Sequence, residues 1–144
     1  MIDPVILPPA VRPGQRAIGV AAISGAVDAG RLDRGIRALE ALGFRVVEAS
    51  NLRTRQGLFA GSDAERLAGL HRLVADPEVG AIVFARGGWG APRLLGAVDW
   101  DLLAAHPKAY VGYSDLTPFL LAITARLGLA TFHGPMVAAD LARG

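Results

Sequence analysis

Several residue types are scarce in this 144-residue chain, and each scarcity excludes a class of protein. Cysteine is absent, which excludes disulfide frameworks and thiolate metal sites and fits a reducing compartment. Aromatic residues make up only 6 % and the arginines are scattered, so the basic, aromatic stripe typical of nucleic-acid binders is missing. No apolar run approaches the roughly 18 residues that span a bilayer. We therefore expect a soluble, cytoplasmic protein that binds neither nucleic acid nor a membrane.

Phosphate-loop and metal signatures are also missing. The only lysine, Lys108, follows no glycine-rich loop, and the glycines of residues 86–90 lack the G-x-G-x-x-G spacing of dinucleotide sites. The three histidines, His71, His106 and His133, are not at metal-ligand spacing. His71 lies on an apolar helical face, which predicts a place in the core. We expect no metal and no cofactor.

What the chain does contain is a regular alternation of apolar runs and helical patterns. The runs predict five strands, at 17–22, 44–49, 80–85, 108–113 and 129–134. Helices are predicted between them, one of which begins at the capping box "SDAE" of residues 62–65. Strands that are apolar throughout are typical of a parallel sheet covered by helices on both faces. The predicted fold is therefore α/β, of the flavodoxin-like or amidotransferase-like kind.

The first 16 residues differ from the rest of the chain. They contain four prolines, which favour an extended arm ahead of an α/β domain at 17–144. They lack the basic start and apolar centre of a signal peptide.

The segment "VGYSDLT" places Ser114 where the fourth strand turns into a helix. Such a sharp turn exposes the hydroxyl, and the N–H of Asp115 is well placed to hold a developing oxyanion. Gly112 fits the G-x-S-x-G pattern of nucleophile elbows, whereas Leu116 replaces its second glycine. The alternative is that Ser114 only caps the helix.

Two further loops follow predicted strands and carry candidate substrate contacts. The segment "RGGWG" (86–90) follows the third strand, and its glycine N–H groups are candidates for an anion nest or for half of an oxyanion hole. Arg86, Gly87 and Trp89 in this loop, and Ser24 after the first strand, are candidate substrate-binding residues. The nearest candidate base for Ser114 is His133 in "FHGP".

Together, these segments resemble one known family. "IGVAAISG", "GSDAERLAGLHRLVADPEVGAIVFARGGWGAPRLL", "AYVGYSDLT" and "TFHGP", in this order, resemble the LD-carboxypeptidase family of serine peptidases, which includes muropeptide LD-carboxypeptidases and microcin-resistance peptidases. The resemblance covers roughly residues 17–136. It implies a cytoplasmic, two-domain homodimer that trims a terminal D-amino acid, D-alanine in murein tetrapeptides, during peptidoglycan recycling.

The resemblance also implies residue roles. Ser114 falls on the nucleophile, and the backbone N–H groups of Gly88 and Asp115 fall on the oxyanion hole. The family's catalytic glutamate and histidine come from a C-terminal domain, which we expect this chain to lack, so His133 is not the catalytic histidine and the isolated chain is expected to be inactive. A domain without its partner should expose apolar surface near the carboxyl end of the sheet and in residues 136–144.

Two alternatives remain open. One is a relative that hydrolyses peptidyl-nucleotide antibiotics. The other is a non-catalytic, anion-binding α/β module in which Ser114 is only a cap.

Overall fold

A five-stranded parallel sheet forms the centre of the computed structural model, which describes residues 4–144. The strands are numbered β1 to β5 along the chain and lie in the order β2-β1-β3-β4-β5. Their bounds are Ala17–Ala21, Val46–Glu48, Val79–Phe84, Ala109–Gly112 and Phe132–His133. All neighbouring strands of this sheet run parallel. The predicted α/β fold is confirmed.

Within residues 4–144, five α-helices connect these strands. Helices α1 to α5 span Ala29–Ala41, Asp63–Ala75, Ala91–Leu94, Trp100–Ala105 and Thr117–Leu127. The predicted capping box is present at the start of α2: the Ser62 hydroxyl accepts from the Glu65 N–H at 3.1 Å, and the Glu65 carboxylate accepts from the Ser62 N–H at 2.8 Å. Gly128, in the left-handed region at φ 64°, ends α5.

The core lies along β1 and the central strand β3. All residues of β1 and β3 are buried, as expected for strands covered on both faces. The Phe119 ring of α5 packs edge-on against Phe84 at the end of β3, with ring centroids 5.8 Å apart. This contact holds α5, and the turn that precedes it, against the carboxyl end of the sheet.

The strand order determines where a site can form. From β1 the chain moves outward to β2 and then returns past β1 to β3, so the direction of the crossovers reverses between β1 and β3. In open parallel sheets, ligands bind in the crevice that this reversal opens at the carboxyl ends of the strands. The loops that follow β1, β3 and β4 meet at that crevice.

The edge strands are shorter than the sequence pattern predicts. The run 44–49 forms only the three residues of β2, and the run 129–134 forms only Phe132–His133. Leu129 instead bridges in parallel to Ile6 of the N-terminal arm, where the Ile6 N–H donates to the Gly128 carbonyl at 2.7 Å and the Ala130 N–H to the Ile6 carbonyl at 2.8 Å. The first residues of the predicted fifth strand therefore pair with the N-terminal arm, and only Phe132–His133 pair with β4.

The expectation that residues 136–144 expose apolar surface is wrong for the first three of these residues. Met136, Val137 and Ala138 are buried, and the N–H groups of Val137 and Ala138 donate to the carbonyls of Phe84 and Ala85 at 3.1 and 2.8 Å. This segment therefore lies beside the carboxyl end of β3, and its side chains are part of the core. Exposed large apolar side chains do occur near the carboxyl end of the sheet, at Leu58 and Trp89.

None of the helices within residues 4–144 is long and apolar enough to cross a bilayer.

Candidate active site

Ser114 has an unusual backbone conformation. Its φ of 60° makes it the only non-glycine residue between 4 and 144 with a positive φ. A side chain in this left-handed region costs roughly 1–2 kcal/mol, because Cβ approaches the following carbonyl oxygen. Ser114 follows β4 and Tyr113, and it begins a 3₁₀ turn, Ser114–Leu116, that leads into α5. The strained turn leaves the residue exposed.

The glycine pair after β3 lies against this turn. A Cβ atom on Gly87 would stand 3.0 Å from the Ser114 Oγ and 3.1 Å from its Cβ, so only glycine leaves the hydroxyl its present position. Gly88 has a φ of 118°, and a Cβ there would stand 3.1 Å from the Gly25 Cα. The Gly25 N–H donates to the Gly87 carbonyl at 3.1 Å, which joins this loop to the loop after β1.

Two backbone N–H groups lie near the Ser114 turn. The Asp115 backbone nitrogen lies 3.5 Å from the position that a Gly87 Cβ would take, next to the Ser114 hydroxyl. The Gly88 N–H donates no hydrogen bond within the part of the chain that the structure describes. A free N–H beside a serine hydroxyl is what a developing oxyanion requires.

The Asp115 carboxylate connects three loops by hydrogen bonds. One of its oxygens, Oδ2, accepts the Ser24 hydroxyl and also the Ala91 N–H, the latter at 3.0 Å. Ser24 follows β1 and Ala91 begins α3, so the carboxylate links the turn of Ser114 to both neighbouring loops. Ser24 is fully buried by this arrangement, and its hydroxyl faces Asp115 rather than the cleft.

A cleft of about 380 Å³ opens beside Ser114. It is lined by Asp28, Arg31, Arg86, Gly87, Gly88, Tyr113, Ser114, Met136, Ala138 and Ala139. The cleft therefore brings together the predicted residues Ser114, Gly87, Gly88 and Arg86. Arg86 is exposed, and its guanidinium donates to the Ala26 carbonyl at 3.0 Å.

Tyr113 forms part of the wall of this cleft. Its hydroxyl donates to Asp140 at 3.1 Å, and the other Asp140 oxygen accepts the Met136 N–H at 3.0 Å. The hydrogen bond to the carboxylate raises the pKa of the Tyr113 phenol. The Met136 N–H is the main cause that lowers the pKa of Asp140, with a smaller lowering by Tyr113. These bonds fix the C-terminal segment against the cleft.

Trp89 belongs to a second, apolar groove. This groove has a volume of about 510 Å³ and is lined by Leu58, Phe59, Trp89, Gly90, Pro92, Arg93 and Asp115. Trp89 and Leu58 are 74 % and 70 % exposed. The two cavities flank the Ser114–Asp115 turn, since Ser114 lines one and Asp115 the other.

Within residues 4–144, no histidine lines the cleft of Ser114. His133 is exposed and its ring centroid is 5.4 Å from that of Tyr113, and between residues 4 and 144 it makes no hydrogen bond to Ser114. The prediction that His71 belongs to the core is wrong, because it is only half-buried and its ring accepts the Asp99 N–H at 3.1 Å. Partial burial lowers the pKa of His71.

Arg66 is the residue that sequence reasoning missed. It is fully buried in α2, donates to the Ile23 carbonyl at 2.7 Å, and pairs with Asp63. Its guanidinium lies 5.0 Å from the centre of the Phe59 ring. Through Ile23 it holds the loop that carries Ser24. Its spacing of four residues from buried Leu70 is the signal that would have placed it on the inner face of the helix.

Comparison with known proteins identifies the family. The family described as the LD-carboxypeptidase N-terminal domain matches residues 18–134. The chain belongs to the LD-carboxypeptidase family. It is 42 % identical over 124 residues to the "Probable murein peptide carboxypeptidase" of Bacillus subtilis, a match that covers 86 % of this chain and 39 % of the relative.

The microcin branch of the family is also similar. The chain is 35 % identical over 105 residues to the microcin C7 self-immunity protein MccF of Escherichia coli, which covers 73 % of this chain and 30 % of the relative. The crystal structure of an MccF-like protein from Bacillus anthracis superposes with a TM-score of 0.90 at 30 % identity, covering 96 % of this chain and 43 % of that one. The chain thus spans about two fifths or less of the length of these relatives.

Proposed function

We propose that residues 17–144 form the nucleophile-bearing domain of a serine LD-carboxypeptidase that releases a terminal D-amino acid, D-alanine, from murein tetrapeptides. The observation that carries the proposal is the left-handed Ser114, exposed in a cleft and pressed against Gly87. A structural serine has no need of this strain, whereas a nucleophile at a sharp turn does.

In the proposed reaction, the Ser114 oxygen attacks the carbonyl carbon of the amide before the terminal residue. The oxyanion that forms accepts hydrogen bonds from the N–H groups of Gly88 and Asp115. A histidine takes the serine proton and later gives it to the leaving amine, and a glutamate orients that histidine. As the family resemblance implies, both groups come from a C-terminal domain outside these residues, and the complete enzyme is a cytoplasmic homodimer.

A muropeptide substrate is favoured over a peptidyl-nucleotide. The relative named as a murein peptide carboxypeptidase is 42 % identical to this chain, against 35 % for the microcin self-immunity protein. Among solved structures, a muramoyltetrapeptide carboxypeptidase from Oxalobacter formigenes superposes with a TM-score of 0.81 at 34 % identity, covering 89 % of this chain and 43 % of that one. The peptidyl-nucleotide substrate remains the second candidate, because MccF has been solved with aspartyl sulfamoyl adenosine.

The test is release of D-alanine from murein tetrapeptide, measured with a coupled D-amino-acid oxidase. We expect no enzyme-like release from the 144-residue chain alone, since an incomplete triad retains only roughly 10³–10⁴-fold acceleration over water. Fusion to the C-terminal domain of the Bacillus subtilis relative should restore release, and Ser114→Ala in the fusion should abolish it.

Two outcomes would contradict the proposal. Release that survives Ser114→Ala in the fusion would show that another group is the nucleophile. Robust release by the 144-residue chain alone, lost on His133→Ala, would show a local Ser114–His133 pair and a different mechanism.

A further inference from the structure

Two arginines line the cleft of Ser114, and neither forms an ion pair within residues 4–144. Arg31 stands in the first turn of α1, and Arg86 follows β3. The Arg31 guanidinium makes no hydrogen bond in the described part of the chain, and that of Arg86 makes one, to the Ala26 carbonyl at 3.0 Å. Most of the donors on both guanidinium groups are therefore free to face a ligand.

Unpaired arginines are common among residues 4–144, because the ion pairs there involve only Arg45, Arg53, Arg66 and Arg93. What distinguishes Arg31 and Arg86 is their position, since both line the cleft of Ser114. Two guanidinium groups without a carboxylate partner are therefore placed beside the candidate nucleophile.

The acidic groups near the cleft are already engaged. Asp28 is the only acidic residue that lines it, and its Oδ1 accepts the Arg31 N–H at 2.8 Å as the cap of α1. Asp140 lies behind Tyr113, and its two oxygens accept the Tyr113 hydroxyl and the Met136 N–H. The remaining walls are the glycine pair and the apolar residues Met136, Ala138 and Ala139. The surface beside the hydroxyl therefore favours a small anion.

We propose that Arg31, acting with Arg86, binds the free carboxylate of the substrate's terminal residue. This inference rests on the proposed function, because it places the leaving amino acid on the Arg31 side of Ser114. A guanidinium presents two parallel N–H donors to a carboxylate, which gives the bond both strength and direction. The volume of about 380 Å³ lies in the range of roughly 300–1,000 Å³ usual for small-molecule pockets.

A carboxylate site formed by Arg31 and Arg86 restricts cleavage to the last residue of a peptide. In a substrate that continued past the scissile bond, a neutral amide would occupy the place of the carboxylate. Two cations would then face no anion, and the bound state would lose both charge-assisted hydrogen bonds. Arg31 and Arg86 are thus specificity residues for terminal cleavage, while Ser114 and the oxyanion N–H groups act on the carbonyl.

The experiment measures binding, so that it does not depend on turnover. The full 144-residue chain carrying Ser114→Ala is titrated with N-acetyl-L-alanyl-D-alanine and with its C-terminal amide, two probes that differ by one charge. The Nε–Hε signals of the arginines are followed by NMR. We expect the acid to bind at least about tenfold tighter than the amide, as one hydrogen bond to a charged group would give, and to shift the signals of Arg31 and Arg86.

Single substitutions then show which side chain is responsible for the preference for the acid. Arg31→Ala should weaken binding of the acid about fivefold to tenfold and leave the amide unchanged, with partial recovery in Arg31→Lys. Arg37→Ala is the matched control, because Arg37 is exposed on the same helix and does not line the cleft. Asp28→Asn should tighten binding of the acid, since it removes the one negative charge of the cleft.

Equal binding of acid and amide, absence of binding by both, or an Arg31→Ala effect no larger than that of Arg37→Ala would overturn the proposal. These outcomes are distinct from a failure of the proposed function. A fusion protein that releases D-alanine while this chain fails to distinguish acid from amide would remove only the role of Arg31. Selective binding of the acid by a chain whose Ser114 proves inert would remove only the nucleophile.

Discussion

Ser62 and Ser114 both stand at the start of a helical segment, but their surroundings differ. Ser62 has an ordinary extended backbone, with φ −63° and ψ 165°, and its hydroxyl accepts the Glu65 N–H. Ser114 has a φ of 60°, and its hydroxyl makes no hydrogen bond within residues 4–144. A cap satisfies the free N–H groups of its helix, and Ser114 does not. The comparison argues against the interpretation of Ser114 as a cap and supports the proposed nucleophile.

The first prediction concerns the contact between Gly87 and the Ser114 hydroxyl. Gly87→Ala places a Cβ 3.0 Å from the Ser114 Oγ and must displace the hydroxyl or the glycine loop. We expect a loss of about tenfold in D-alanine release by the fusion protein, because the contact requires a shift of a few tenths of an ångström and a displacement of about 1 Å costs roughly 100-fold. Gly96→Ala is the matched control, since a Cβ there meets nothing within 4 Å and the φ of Gly96 lies outside the left-handed region. Equal rates in the two variants would contradict the geometry described for Ser114.

The second prediction concerns the other serine. Ser62→Ala should lower the free energy of unfolding by about 1 kcal/mol, as loss of an N-cap does, and leave D-alanine release unchanged. Ser114→Ala should do the opposite and abolish release without a comparable loss of stability, because no hydrogen bond of its hydroxyl is lost. Urea unfolding of the two variants, followed by circular dichroism, makes the measurement. A stability loss at Ser114 as large as that at Ser62 would favour a capping role.

The third and smallest effect lies in β4, four residues before the strained turn. Tyr110 is fully buried and its hydroxyl has no partner among the described residues, and burial raises the pKa of its phenol. Above the ordinary tyrosine pKa of about 10, the unfolded chain loses this proton before the folded one. The contribution of Tyr110 therefore makes stability fall as pH rises above that value.

Tyr110→Phe should weaken this alkaline loss and change stability at pH 8 by no more than about 1 kcal/mol, because it removes an unpaired buried hydroxyl. Burial lowers the pKa of Lys108, so Lys108 acts in the opposite direction, with stability that rises with pH below its ordinary value. Lys108 and Tyr113 are present in both proteins, and their contributions cancel in the comparison. Identical pH profiles of unfolding at pH 8 to 11 for the two proteins would contradict the role of Tyr110.

The local features of the fold were predictable from the sequence. Continuous apolar runs indicated β1, β3 and β4, and the capping box that begins with Ser62 indicated where α2 begins. These signals depend on neighbouring residues, which the sequence shows directly. Strand order and the ends of β5 were not predictable, because Leu129 pairs with Ile6, which lies more than a hundred residues earlier.

At the candidate site, the sequence indicated the loops but not their contacts. Ser24 follows β1 as predicted, yet it is buried, because its hydroxyl is a partner of the Asp115 carboxylate. Arg66 is a second example. It is buried in α2, and its guanidinium donates to the Ile23 carbonyl in the loop that carries Ser24. Such contacts join residues that are far apart in sequence, and no local pattern encodes them.

The central claim is that Ser114 is a nucleophile, and covalent labelling tests it most directly. The 144-residue chain contains four serines, Ser24, Ser50, Ser62 and Ser114. After reaction of the fusion protein, which supplies the proposed histidine, with a fluorophosphonate, peptide mass spectrometry should locate the adduct on Ser114, and Gly87→Ala should reduce it. Labelling of exposed Ser50 to the same extent as Ser114, or no adduct on Ser114, would contradict the account.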